Sequence, residues 1–331
     1  MNDKEILHII KTNDQDEINS LFSQACKVRE EHYGKNIYLR CLIEISNYCK
    51  NDCYYCGIRC SNSKLERYRL TPEEILNCCR AGDKLGLKTF VLQGGEDPWF
   101  TGQRVSEILS GIKQEFPSHA ITLSIGERSA ADYELFFRCG ANRYLLRHET
   151  ASSSHYETLH PSTMTLANRK LCLYNLKKTG YQVGAGFMVG TPYQTPECLL
   201  EDLRFMEELQ PHMAGIGPFL PQKDTPFGNL QPGDINLCLK MLAMCRILLP
   251  RSLIPATTAM ETIAPNGREL ALKAGANVIM PNLTPMSAKK LYSIYDNKAA
   301  GLPEPADNLL KLKEMITGAG FLPDMSRGDA K

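Results

Sequence analysis

Residues 43–57 read Ile43-Glu-Ile-Ser-Asn-Tyr-Cys49-Lys-Asn-Asp-Cys53-Tyr-Tyr-Cys56-Gly57. The apolar start belongs to a predicted buried strand over Ile37–Ile45, and three cysteines follow it in the spacing C-x3-C-x2-C. Three thiolates on a short loop can hold three irons of a 4Fe–4S cube and leave the fourth iron without a protein ligand. An open coordination position is typical of a catalytic metal site.

Two other metal sites compete with this interpretation. A structural zinc site needs four ligands, usually as two separated cysteine pairs, and no second pair follows downstream. Cys60 adds a fourth thiol four positions after Cys56, so the loop could instead close a ferredoxin-type cluster. A pure electron carrier does not need 331 residues. The three-cysteine cluster, with S-adenosylmethionine (SAM) on the fourth iron, is therefore favoured, and the part of Cys60 stays open.

Short apolar runs alternate with longer amphipathic segments through most of the chain. Eight strands are predicted: Ile37–Ile45, Thr89–Gln93, Ala120–Ser124, Arg143–Arg147, Gln182–Val189, Ala214–Pro218, Ile254–Thr258 and Val278–Met280. A helical pattern follows each strand, so we expect an α/β fold of the (β/α)8 TIM-barrel type. An open doubly wound sheet is the alternative that the pattern leaves open.

Three domain segments are expected. An N-terminal helical extension covers residues 1–36, with helices at about 3–11 and 14–32. The barrel covers residues 37–300, and a linker with a short C-terminal helix covers residues 301–331.

Composition and charge exclude several classes of function. Lysine and arginine (38) nearly balance aspartate and glutamate (37), so nucleic acid is not an expected partner. We expect neither a membrane span nor an export signal, because the required apolar runs are missing from the sequence. The thirteen cysteines are an odd number, and five of them are crowded between Cys41 and Cys60. This argues against a disulfide framework and indicates a reducing cytoplasm.

Features beside the cysteine loop predict where SAM binds. Tyr55, just before the last cysteine, can lie against the adenine ring. The turn Gln93-Gly94-Gly95 ends the second strand, where glycines let the backbone approach the methionine end of SAM and leave carbonyls for its ammonium. Ser124 ends the next strand and joins this set. Glycines occur in many turns, so this turn alone is weak evidence for SAM binding. Its position one strand after the cysteine loop makes the evidence stronger.

The chain resembles the biotin-synthase-like branch of radical SAM enzymes and, within it, the HydE family of FeFe-hydrogenase maturases. The similarity runs from around residue 37 to residue 296 and rests on long strings at successive strand ends. These strings are Ile43–Arg59, Tyr144–Ala151, Gly184–Gly190, Gly215–Phe219, Ile254–Met260 and Ala276–Asn282.

The resemblance implies roles for residues at the strand ends, where TIM barrels carry their active sites. Glu149 would accept hydrogen bonds from SAM, Arg169 would pair with its carboxylate, and the backbone around Met188 would meet the adenine. Further residues would line and close the substrate cavity: Arg147, Thr257, Thr258, Ala259, Tyr292 and Tyr295, with Tyr292 also counted as a SAM contact. Arg147 and Glu149 could instead be only a buried ion pair.

The resemblance also implies a reaction. In the family, the 5′-deoxyadenosyl radical attacks a small sulfur-bearing iron substrate, a cysteine-bound iron carbonyl–cyanide synthon, to build the dithiomethylamine bridge of the hydrogenase cluster. A reductant such as ferredoxin or flavodoxin and other hydrogenase maturases are the expected partners. Some relatives hold a second cluster on C-terminal cysteines, and this chain has no cysteine after Cys245, so we expect one cluster.

Other functions remain in competition. A mutase such as methylornithine synthase needs a pocket for the carboxylate and ammonium of an amino acid, which Arg147, Thr257 and Thr258 could also serve. Biotin synthase is disfavoured because the continuation after the cysteine loop differs, and the neutral charge disfavours action on transfer RNA. In another class, a non-catalytic carrier could bind an iron complex for delivery, but the cofactor-holding residues argue against it.

Overall fold

The computed structural model describes residues 1–298 and 305–331. The helices are α1 (Asp3–Lys11), α2 (Gln15–Tyr33), α3 (Pro72–Lys84), α4 (Gly102–Glu115), α5 (Ala130–Arg138), α6 (Ser153–Leu159), α7 (Leu166–Thr179), α8 (Pro196–Leu209), α9 (Ile235–Leu248), α10 (Thr258–Ile263), α11 (Gly267–Lys273), α12 (Met286–Lys289) and α13 (Pro305–Gly318). The strands are β1 (Asn36–Leu39), β2 (Cys41–Ser46), β3 (Thr89–Gly94), β4 (Ala120–Ser124), β5 (Ala141–Leu145), β6 (Gln182–Ala185), β7 (Met188–Val189), β8 (Met213–Ala214), β9 (Gly217–Pro218), β10 (Val278–Ile279) and β11 (Leu322–Asp324).

Parallel strands close into a ring. Six of them lie in the order β2-β3-β4-β5-β6-β8. Parallel bridges complete the circle: Met213 with Leu253, Pro255 with Val278, and Leu42 with Asn282. The predicted (β/α)8 barrel is therefore confirmed, and the open sheet is excluded.

Several predicted strands are divided. The first splits at Arg40, so that β1 pairs with β10 and β11 while β2 enters the six-stranded sheet. The seventh, Ile254–Thr258, forms only bridges, and the chain becomes helical at Thr258. Pro255 has no N–H to donate, so it cannot extend a ladder of hydrogen bonds. The prediction of a full strand there was wrong.

The two N-terminal helices form where the sequence predicts them. Asp14 caps α2 by accepting hydrogen bonds from the N–H groups of Asp16 and Glu17. α2 packs on α9, and Arg29 donates to the carbonyl of Leu272 at 2.9 Å. The predicted linker falls largely on residues 301–304, outside the described residues. Among the helices that the structure describes, none is long and apolar enough to cross a membrane.

Residues 324–330, here called the C-terminal plug, cross the N-terminal end of the barrel. Arg143 on β5 donates to Asp329 Oδ1 at 2.7 Å and to the carbonyl of Arg327 at 2.8 Å. Arg40 donates to the carbonyl of Gly328 at 3.0 Å. The plug closes this end, so the opposite end, where loops follow the strands, is the place for a site.

Candidate active site

The cysteine loop, residues 47–60, lies at the C-terminal end of the barrel. Backbone hydrogen bonds tie it to three other loops: Lys50 N–H to Glu96 O at 2.9 Å, Tyr54 N–H to Leu159 O at 3.0 Å, and Gly57 N–H to Ile294 O at 2.9 Å. The loop is therefore held in one shape from several sides of the barrel, which suits a preorganised metal site.

Cys49, Cys53 and Cys56 are partly buried free thiols on this loop. Burial raises the pKa of all three, that of Cys56 to about 12. Thiols bind iron as thiolates, so loading iron here must release protons. No group of Cys, His, Asp or Glu side chains in residues 1–298 and 305–331 is arranged to hold a single metal ion. A cube instead takes one thiolate on each iron, a demand that this donor set fits.

Cys60 differs from these three cysteines. Its side chain is exposed, and its N–H donates to the carbonyl of Asn51 at 2.9 Å. The structure thus places it on the outer side of the loop, and the three-cysteine ligand set stays a prediction that this placement favours.

The glycine turn after β3 packs directly under the cysteine loop. A Cβ atom on Gly95 would lie 2.2 Å from the Tyr48 carbonyl oxygen and 2.8 Å from Cys49 Cβ. A side chain at Gly95 is therefore incompatible with the position of Cys49. The sequence interpretation assigned both glycines to SAM, but the close approach at Gly95 is to the cysteine loop. At Gly94 a Cβ would meet neighbours only at 3.3 Å.

A polar row lines the interior of the barrel at this end. Glu44 pairs in register with Gln93, and Gln93 with Ser124. Cys41, three residues before Glu44, packs outward against α3. Because side chains alternate along a strand, Glu44 and its two register partners point inward. The predicted Gln93 and Ser124 are thus brought together, and Glu44 joins them.

Arg147 and Glu149 follow β5 and lie beside each other. Arg147 Nη2 is 3.2 Å from Glu149 Oε2, but their geometry makes no hydrogen bond. Arg147 Nε and Nη2 and Glu149 Oε2 are buried atoms without a hydrogen-bond partner among the described residues. Buried polar groups are nearly always paired, so these atoms are suited to a ligand.

The backbone of Glu149 is strained. Its φ is 68°, in the left-handed region, which costs a non-glycine residue about 1–3 kcal/mol. Gly186 O accepts from the Glu149 N–H, and Glu149 O accepts from the Met188 N–H, both at 3.1 Å. Strain of this kind is typical of functional sites, and here it sets the direction of the carboxylate.

A buried His–Asp pair clamps the same loop. Asp202 Oδ1 accepts from the Ala151 N–H at 2.5 Å and lies 3.2 Å from His148 Nε2. Gly186 N–H donates to His148 Nδ1 at 3.3 Å, so we assign the ring proton to Nε2. Both side chains are fully buried. The pair fixes the residues on either side of Glu149.

Arg169 lies in the same corner of the site. Its Nε donates to Glu127 Oε1 at 2.6 Å, and its Nη1 donates to the carbonyl of Arg147 at 3.0 Å. Its Nη2 is 3.7 Å from Glu96 Oε1. A SAM carboxylate would therefore share this guanidinium with Glu127, a partner that the sequence interpretation missed.

The two predicted adenine contacts share one apolar cluster. Tyr55 packs against the cluster that contains Met188, Leu159, Phe219 and Phe227. The Tyr55 hydroxyl is 3.2 Å from His160 Nε2, and the His160 ring stacks on Tyr156 at 3.9 Å. The structure thus gives Tyr55 a fixed orientation beside Met188, and their contact with adenine stays a prediction.

The three predicted substrate residues at 257–259 lie at the start of α10. Thr257 occupies the N-cap position of this helix but makes no side-chain capping bond, and its Oγ1 is buried without a hydrogen-bond partner in the described part of the chain. A Cβ on Gly217 would lie 3.1 Å from that oxygen, so glycine there leaves room beside it. Nearby, Arg268 Nη1 lies 2.7 Å from Glu261 Oε2.

Residues 291–298, here called the mouth segment, cross the open end of the barrel and carry Tyr292 and Tyr295. Asn47 Nδ2 donates to Leu291 O at 2.8 Å, and Gln93 Nε2 donates to the Tyr292 hydroxyl at 3.4 Å. Lys298 Nζ forms an ion pair with Glu44 Oε1. This segment thus joins the polar row to the cysteine loop.

The structure brings the predicted residues to one end of the barrel, and their individual roles stay predictions. The sequence interpretation missed Glu44, Glu127, Lys298 and the His148–Asp202 pair. Only Glu44 carried a signal, because it is a charged residue within an apolar strand. The others act through contacts between segments far apart in the chain, which no local pattern records.

A family model of the radical SAM superfamily matches residues 43–206. The FeFe hydrogenase maturase subunit HydE of Thermotoga maritima is 45% identical over 328 residues, which cover 99% of this chain and 92% of that protein. The 3-methylornithine synthase of Methanosarcina acetivorans is 30% identical over 325 residues, covering 98% and 90%. The solved structure of methylornithine synthase (PylB) has a TM-score of 0.85 at 28% identity and covers 98% of this chain and 94% of that chain.

Proposed function

This chain belongs to the HydE family of FeFe hydrogenase maturases, within the radical SAM superfamily, and from that membership we propose the step that it performs. It assembles the dithiomethylamine bridge of the hydrogenase active-site cluster. Its substrate is a small sulfur-bearing iron complex that carries cysteine. The support is the family membership, together with polar side chains in the barrel interior beside the cysteine loop, a region here called the cavity.

The residues that would hold the cofactors lie on one side of this cavity. Cys49, Cys53 and Cys56 would bind the cluster, while Glu149 and Arg169 would bind SAM. Bound there, the cluster supplies the electron that cleaves SAM to methionine and the 5′-deoxyadenosyl radical. The mouth segment would exclude water from the cavity, which protects a reactive radical.

One observation carries the proposal. Residues at the cysteine end of the barrel have buried polar atoms that no described residue hydrogen-bonds, here called the open polar atoms: Glu44 Oε2, Arg147 Nε and Nη2, Glu149 Oε2, Thr257 Oγ1 and Arg268 Nε. Leaving such an atom unpaired costs about 1–3 kcal/mol. Small polar ligands at the cysteine end of the barrel would pair with them.

A mutase acting on a free amino acid is the second candidate. The similarity to methylornithine synthase favours it, and the open polar atoms include both acceptors and donors, as an amino acid requires. The higher sequence identity to the maturase, 45% against 30%, keeps the mutase second.

The proposal includes partners and a location. A reductant such as ferredoxin or flavodoxin would deliver the electron, and other hydrogenase maturases would supply the substrate and take the product. A cytoplasmic location fits the many free thiols.

The experiment is anaerobic reconstitution followed by reduction, addition of SAM and quantification of 5′-deoxyadenosine. We expect product from the wild type and none from Cys53→Ala, because removing one thiolate ligand removes the cluster. Addition of an iron–cysteine carbonyl–cyanide complex should raise turnover.

Two outcomes would overturn the proposal. A fully loaded wild-type protein that forms no 5′-deoxyadenosine would favour a non-catalytic carrier. Turnover that L-lysine raises and the iron complex does not would favour the mutase. Cys60→Ala is the matched control, and it should keep both its cluster and its activity.

A further inference from the structure

Glu44 is an ionisable side chain in the barrel interior that neither the family roles nor the cofactor contacts use. It is fully buried and points inward at the level of Gln93 and Ser124. Its backbone N–H is fixed by Thr284 Oγ1 at 2.8 Å, and its carbonyl accepts from the Tyr68 hydroxyl at 2.8 Å. The strand thus presents the carboxylate rigidly to the cavity.

Only half of this carboxylate is paired within the described residues. Lys298 Nζ occupies Oε1 and also donates to the carbonyl of Tyr292 at 3.1 Å. Oε2 is buried and has no hydrogen-bond partner among residues 1–298 and 305–331. The lysine supplies a counter-charge at Oε1. A carboxylate can accept hydrogen bonds at both oxygens, so Oε2 is available as an acceptor for a ligand.

The cavity offers positive charge on another wall. Arg147 projects from the end of β5, which lies three strands around the ring from β2, and its Nε and Nη2 are open polar atoms. Burial raises the pKa of Tyr295, a hydrogen bond with Thr262 lowers it, and the charges of Glu44, Arg268 and Arg147 also act on it. The cavity therefore presents an acceptor on β2 and donors just past β5, and Tyr295 is near enough to both to sense their charges.

We propose that Glu44 determines specificity by accepting the ammonium group of an α-amino acid portion of the substrate at Oε2. Such a portion has a donor at one end and an anion at the other, which matches the two walls. The inference rests on the proposed function, because it names which part of the substrate the barrel recognises. Free cysteine and free lysine both have an α-amino acid portion, and the experiment distinguishes which of the two the protein prefers.

The experiment measures binding without turnover. Reconstituted protein with SAM and without reductant is titrated calorimetrically with L-cysteine and with 3-mercaptopropionate, which lacks only the amino group. L-lysine and 6-aminohexanoate form a second matched pair. We expect L-cysteine to bind at least about tenfold more tightly than 3-mercaptopropionate, since hydrogen bonds to charged groups have that strength.

Glu44→Gln should reduce the ratio of the L-cysteine affinity to the 3-mercaptopropionate affinity to about one. The affinity for 3-mercaptopropionate itself should stay unchanged. Because that variant leaves Lys298 unpaired, the double variant Glu44→Gln with Lys298→Met is tested beside it and should give the same ratio near one. Asp329→Asn is the control, since Asp329 is another carboxylate paired with a basic side chain, Arg143, but lies at the plugged end of the barrel. It should keep the wild-type ratio.

Each remaining outcome is decisive. Equal binding of both members of each pair to the wild type, or no binding of any probe, overturns the inference. A preference confined to the lysine pair upholds Glu44 and overturns the proposed substrate. A preference for cysteine in a protein that forms no 5′-deoxyadenosine upholds the cavity and overturns the proposed function.

Discussion

Arg143 lies within β5 and Arg147 lies four residues later, just past its end, and the two differ in how their guanidinium groups are paired. At the plugged end, Arg143 Nε donates to Gln182, Nη1 donates to Thr89, and Nη2 donates to Arg327 and Asp329. At the cysteine end, Arg147 Nε and Nη2 make no hydrogen bond to a described residue, and Nη2 has only the nearby charge of Glu149 Oε2 at 3.2 Å. The first arginine is satisfied by the fold itself, and the second is left for a ligand.

The plugged end of the barrel thus contributes mainly to stability, and the cysteine end contains the residues for catalysis and binding, a division that the barrel architecture allows. The C-terminal plug uses the chain's own carbonyls and carboxylates to satisfy buried charge. The cysteine end keeps open polar atoms and a strained residue, Glu149. Proteins tolerate such destabilising features where function requires them.

The largest expected effect on stability comes from replacing each of these two arginines, one at a time, with methionine. Arg143→Met should lower the free energy of unfolding by about 3 kcal/mol, because it leaves several buried partners unpaired. Arg147→Met should change it by less than about 1 kcal/mol, because few protein partners are lost. Urea unfolding of the two variants checks this. Equal losses of stability would remove the distinction between the two ends.

A gain of stability is expected at Glu149. Glycine adopts positive φ without strain, so Glu149→Gly should raise the free energy of unfolding by roughly 0.5–1 kcal/mol and abolish 5′-deoxyadenosine formation. Gln210→Gly is the control, because Gln210 also has positive φ, 49°, but lies at the exposed end of α8. It should give the same gain with activity retained. A loss of stability in Glu149→Gly would show that the backbone there is unstrained.

The smallest effect concerns the pH dependence of the plug. Burial tends to raise the pKa of Asp329, but hydrogen bonds from Arg327 and Arg143 hold it well below its usual range. A carboxylate with a lowered folded-state pKa stabilises the protein above its unfolded pKa, about 3.9, and that contribution is lost as the pH falls further. Asp329→Asn should therefore be less stable than wild type at pH 7, with the difference shrinking below about pH 4. Unfolding curves across this range measure it, and a constant difference would contradict the role of the charge.

The sequence predicted those features that depend on local pattern. The cysteine spacing, the period of apolar residues and the Asp14 cap are each contained in a short stretch, and the barrel follows from their repetition. It did not predict the break at Pro255, where one missing N–H outweighs an apolar run. Nor did it predict β11 and the plug, because Arg143 finds Asp329 at a separation of 186 residues. The partners of Arg169 and the role of Gly95 likewise depend on how distant loops meet.

That separation also has a meaning for protein synthesis. Ribosomes add about 5–20 residues each second, so Asp329 is made roughly 10–40 s after Arg143. During this interval β5 and its neighbouring strands have been synthesised, but the Arg143 guanidinium does not yet have Asp329 as its ion-pair partner. A nascent barrel therefore cannot reach its final stability until the C-terminal plug has left the ribosome and paired with Arg143.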